Sequence, residues 1–97
     1  MVIGACRLDL HLPGQHSLKD KRQVLGSVLA RIRQRFDVAA GEVDAHDLWQ
    51  SASVGIVCVS TSPQHANEML SRVVDYVQRS HPDAEIAGYE IEILHAL

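Results

Sequence analysis

The sequence predicts one α+β domain with four strands and two helices in the order βαββαβ, and three observations carry that prediction. First, Cys6-Arg7-Leu8-Asp9-Leu10-His11-Leu12 alternates apolar and polar residues strictly, the period of a strand with one face buried. Second, Leu18, Leu25, Val28, Leu29, Ile32 and Phe36 recur at the spacing that stacks side chains on one face of an α-helix. Third, the alternation returns at Ala52, Val54, Ile56 and Cys58, and again after a second helical stretch. A chain of 97 residues has room for one two-layer core, so all six elements belong to a single domain, 1–97.

Taken in order, the first strand covers about 2–12 and ends at Pro13-Gly14. Ser17 then offers an N-cap hydroxyl, with Asp20 three residues on near the positive end of the helix dipole, so the spacing predicts a helix over about 18–36. The Val- and Ala-rich run at 38–44 and the run at 49–60 flank the polar turn Asp44-Ala45-His46-Asp47 and read as a hairpin. Thr61-Ser62-Pro63 joins a hydroxyl cap to a proline at the first helical position, where its missing N–H costs nothing. The second helix runs to about 80, buries Ala66, Met69, Leu70, Val73 and Val77, and stops at His81-Pro82. The last strand, about 84–94, sets Tyr89, Ile91 and Ile93 on one face and Glu90 and Glu92 on the other. This order is that of the ferredoxin-like split βαβ: an antiparallel sheet, strands one and three central, both helices on one face.

Composition narrows the function. With 46% hydrophobic and 22% charged residues, the chain is of ordinary globular type. Its longest apolar runs, such as 54–59, are far short of the roughly 20 residues a membrane helix needs. The N-terminus enters a strand with no basic leader, and Cys6 and Cys58 fall at core-facing positions, so a cytoplasmic protein with buried thiols is expected over a disulfide. A formal charge of −3 argues against a generally basic nucleic-acid binder. The charge is unevenly spread, however: residues 17–36 hold Lys19, Lys21, Arg22, Arg31, Arg33 and Arg35 against Asp20 alone, +5 there and −8 elsewhere.

Ser17-Leu18-Lys19-Asp20-Lys21-Arg22, Glu42-Val43, Asp47-Leu48-Trp49-Gln50-Ser51-Ala52 with Gly55, and Tyr89-Glu90-Ile91-Glu92-Ile93 together resemble the YlxP-like family of small bacterial proteins of unknown function. The resemblance spans nearly the whole chain. It implies a ferredoxin-like fold and a loose association with translation, since relatives are often encoded beside ribosome-maturation factors. It implies no reaction.

The first helix is the strongest functional candidate, because cations near a helix N-terminus can hold phosphate together with free backbone N–H groups. Lys19, Lys21, Arg22 and Arg33 are the expected contacts for RNA or a ribosomal particle, although cations flanking an apolar stripe also simply cover it. The uncovered sheet face should carry Arg7, Asp9, Ser51, Ser53, Glu90 and Glu92, which offers no aromatic platform for stacked bases. Arg7 is expected to pair across the strands with Glu90 or Glu92. Trp49 and Gln50, opening the third strand, suit an anchor for a partner or a second copy in a homodimer, or else a lid on the hairpin end of the core. Asp44, His46 and Asp47 lack ligand spacing and read as a solvated turn, and Asp9, His11 and Glu90 form no recognisable acid–base group. No phosphate loop, Cys-x-x-Cys or nucleophile motif occurs, so the expectation is a non-enzymatic protein without cofactor or metal.

Overall fold

A computed structural model describes residues 1–44, 48–80 and 82–97. The elements are β1 (Val2–His11), α1 (Leu18–Arg35), β2 (Ala39–Asp44), β3 (Ser51–Ser60), α2 (Pro63–Ser80) and β4 (Glu85–His95). They form one four-stranded sheet in the order β2-β3-β1-β4, antiparallel at every neighbour, which is the ferredoxin-like arrangement.

Local chemistry sets the helix ends. The Ser17 side chain accepts from the Asp20 N–H at 3.1 Å, and the Phe36 N–H donates back to the Ile32 carbonyl at 3.0 Å. At α2, the Ser62 hydroxyl accepts from the His65 N–H at 3.3 Å, ahead of Pro63 in the first turn. Gly14 makes the turn after β1 with φ +78°, a left-handed conformation that side chains resist.

The core lies between the sheet and the helices. Leu8, Leu10, Leu25, Leu29, Ile32, Ile56, Leu70 and Val73 are buried as their spacing predicts. Ile91 is only half-buried, because β4 is an edge strand. α2 sits tightly on β1: a Cβ built at Gly4 would lie 2.9 Å from Leu70 Cδ1 and 3.2 Å from Ala66 Cβ. Cys6 and Cys58 are buried free thiols, and burial pushes the Cys6 thiol up to about 11.

Two irregularities shape the uncovered face. Asp9 pairs with Gly88 but Leu10 with Ile86, leaving an extra residue on β4. Glu42 pairs with Val54 but Asp44 with Ser53, and the extra residue, Val43, folds over Gly55, where an added Cβ would meet its Cγ1 at 2.5 Å. Trp49 and Gln50, expected to open the third strand, instead form the turn before β3; the Gln50 carbonyl still accepts from the Leu12 N–H at 2.9 Å.

Candidate nucleic-acid interface

The cations predicted on α1 do not form one surface. Lys19 and Arg22 are exposed, but Lys21 is 3% exposed, and its ammonium donates to the Leu48 carbonyl at 2.8 Å. Lys21 is therefore corrected from a solvent-facing phosphate contact to a buried structural cation. The reason is angular: at ~100° per residue Lys21 falls inside the stripe formed by Leu25, Val28 and Ile32, not on its flank. Its contact joins the start of α1 to the segment preceding β3, so two of the motifs behind the family resemblance meet in space. Arg33 remains exposed, but its Nε donates to the Ala40 carbonyl at 3.0 Å, tying that flank of α1 to β2.

The opposite flank of α1 faces α2. There the Arg35 guanidinium lies 4.8 Å from the Tyr76 ring centroid, and Phe36 meets the same ring edge-on at 5.6 Å. Arg72 and Arg79 of α2 share this neighbourhood, lining one cleft with Arg35 and Tyr76. Sequence reasoning passed over these two arginines because it counted charge along α1 alone; their seven-residue spacing, two helical turns, was the available signal.

Charge is thereby sorted by layer. The helices hold every Lys and Arg except Arg7, against only Asp20, Glu68 and Asp75, so the helical layer sums to +5 and the rest of the chain to −8.

The uncovered sheet face divides into a polar and an apolar half. Register sets Arg7 opposite Glu90, yet its guanidinium bonds Asp9, Asp44 and Ser53, each at 3.2 Å, which corrects the expected pairing with Glu90 or Glu92. The shorter reach wins: Asp9 is two residues along the same strand and face, and the Val43 bulge swings Asp44 opposite Ser53. Ser53 also donates to Asp9 at 2.7 Å, and this bond, with the contacts from Arg7, holds the Asp9 carboxyl below its usual range against the opposing pull of desolvation. Toward the other end, Val57, Val59, Leu94 and Met1 are exposed beside Ile3 and Ala5. Trp49, half-exposed, does not close the core, and with Gln50 it borders a separate shallow hollow beside Leu48 and Ser51.

Among the described residues no three His, Cys, Asp or Glu side chains are placed to hold a metal, and no helix is long and apolar enough to cross a membrane. His46 and Asp47 of the weighed metal set lie outside the described residues.

Comparison with solved structures finds the fold in unrelated sequences. A protein from Agrobacterium tumefaciens, Atu4242, covers 100% of this chain and 94% of its own at 12% identity and a TM-score of 0.54. A de novo designed protein with a ferredoxin fold covers 100% and 88% at 8% identity and a TM-score of 0.50. SnoaB, a cofactor-independent oxygenase from Streptomyces nogalater, covers 99% and 93% at 10% identity and the same TM-score. Such likenesses show the fold alone. Sequence goes further: the uncharacterised protein YlxP of Bacillus subtilis is 34% identical over 84 residues, 87% of this chain and 90% of that protein. With residues 3–91 also matching the model of a protein family of unknown function, DUF503, the chain belongs to that YlxP-like family.

Proposed function

We propose that this protein is a non-enzymatic cytoplasmic binding module that meets RNA, or an RNA-containing ribosome-assembly particle, through the cationic outer surface of its helices. The observation that carries the reading is the sorting of charge, +5 on the helical layer against −8 elsewhere. A molecule polarised in this way is steered so that the helices meet a polyanion first. The buried thiols suit a reducing compartment.

The test is single-stranded RNA binding across a salt series. Each phosphate contact contributes a log–log slope of about −0.7, so Lys19→Ala with Arg22→Ala should weaken binding and flatten the slope by about 1.4. Lys21 stays in place because it belongs to the core. Binding that ignores both salt and these substitutions refutes the reading.

A second reading has its own observation, the exposed Val57, Val59, Leu94 and Met1 on a sheet face that no element covers. A second copy meeting this apolar half would pair the protein face to face, with the acidic halves pointing apart. Salt separates the two readings, because apolar association persists as salt rises while phosphate contacts fade.

A further inference from the structure

We infer that the cleft where the C-terminal end of α1 meets the last turns of α2 is a seat for a phosphate group, gripped by Arg72 and Arg79 beside the Arg35–Tyr76 stack. The inference rests on the polyanion reading and deepens it by fixing where on the helical layer a phosphate binds. The cleft, open to solvent on one side, offers about 450 Å³, within the roughly 300–1,000 Å³ usual for ligand sites.

Three guanidiniums line this one concavity, against a single carboxylate, Asp75. Asp75 is engaged by Arg79 one turn along α2. Arg35 is held over the Tyr76 ring, a contact that positions its guanidinium without neutralising it. Arg72 makes no hydrogen bond or ion pair among the described residues. Two positive charges therefore share a walled cleft without an opposing charge.

Helix stability accounts for part of this set only. Arg35 and Arg79 stand in the last turns of their helices, where a cation complements the macrodipole. Arg72 stands two turns earlier, beyond the reach of that effect, so it needs another reason to face the cleft. A phosphate supplies one. Its oxygens match the planar fork of a guanidinium, and it can take Arg79 from Asp75 while Phe36 and Tyr76 keep one wall apolar and stiff. The phosphate can come from an RNA backbone or from a free phosphomonoester.

Inorganic phosphate titrated into the protein, followed by NMR of the arginine Nε–H groups and the Tyr76 ring, tests the seat. Saturable shifts are expected at Arg72, Arg79 and Tyr76. Arg72→Gln should weaken binding about tenfold, the effect of one lost charge-assisted contact. Asp75→Asn should tighten it, and Arg7→Gln, on the uncovered sheet face remote from the cleft, should leave it unchanged. Circular dichroism checks that each variant is folded. The absence of saturable shifts, or equal losses in Arg72→Gln and Arg7→Gln, overturns the seat. An RNA oligonucleotide arm separates the two proposals: RNA that binds wild type and Arg72→Gln alike, with no saturable phosphate shifts in the cleft, removes the seat and leaves the polyanion reading standing. Phosphate that seats in the cleft of a protein that binds no RNA supports the seat, for a free phosphomonoester, and removes the polyanion reading.

Discussion

Replacing Lys21 by alanine should destabilise the fold, an outcome opposite to the one expected of a surface cation on a charged helix. The side chain is 3% exposed and ends 2.8 Å from the Leu48 carbonyl. Alanine removes three buried methylenes at about 0.8 kcal/mol each and a charge-assisted hydrogen bond worth about 1.5–3 kcal/mol. Against these losses, the ammonium no longer has to be desolvated, a relief that offsets most of the hydrogen bond but not the lost methylenes. A net cost of about 2–4 kcal/mol follows, which in a domain of this size lowers Tm by roughly 10–20 °C. Lys21→Met keeps the apolar stem and removes only the charge, so it should fall between wild type and Lys21→Ala. Urea denaturation followed by circular dichroism measures all three. Lys19→Ala and Arg22→Ala are the controls, each expected within about 0.5 kcal/mol of wild type because both side chains are exposed. If Lys21→Ala also unfolds within that margin, the buried contact is not structural and the lysine returns to the set of available cations.

Two further outcomes follow from the packing. Gly4→Ala should cost about 1–3 kcal/mol in chemical denaturation, because the new methyl would sit 2.9 Å from Leu70 Cδ1 and 3.0 Å from Cys58 Sγ; an unchanged midpoint would mean that α2 can lift off β1 freely. Cys6 gives a pH signature: its folded thiol titrates at about 11 against an ordinary value of 9.0, so between these values the folded state holds the proton longer. Stability should therefore fall by about 2–3 kcal/mol more in wild type than in Cys6→Ala as pH rises through that window, and parallel pH profiles would contradict the burial of the thiol.

The sequence displayed the fold almost completely, because each element advertises itself locally. Alternation marks β1 and β3, the Ser17 and Ser62 caps mark both helix starts, and no observed boundary differs from its expected position by more than two residues. The candidate site was far less legible. Lys21 reads as one of the cations flanking the stripe, whereas its angle falls between those of Val28 and Ile32, inside it; the Leu48 carbonyl helps accommodate its ammonium there. Arg7 was expected to follow strand register to Glu90, whereas the Val43 bulge delivers Asp44 to it, and a one-residue irregularity leaves little trace in the sequence pattern. The arginine cleft depends on two helices whose nearest cationic members, Arg35 and Arg72, are 37 positions apart, and that meeting exists only in three dimensions.

The two faces of the molecule bear on each other. The helical layer is cationic, and the uncovered sheet combines an acidic half with an apolar one, so one face cannot do the work of the other. A polyanion approaching the sheet meets Glu90, Glu92 and the Arg7 cluster, in which the only cation is already bonded to Asp9 and Asp44. The same polyanion approaching the helices meets Lys19, Arg22 and the arginine cleft, with Asp75 engaged by Arg79. Association through the sheet would leave the helices uncovered, since the two surfaces lie on opposite sides of one layer of strands. The polyanion and self-association readings are therefore not rivals for the same surface. A paired protein would present two cationic layers facing outward, and its binding to a long RNA would gain from having two attachment points without any new contact within either copy.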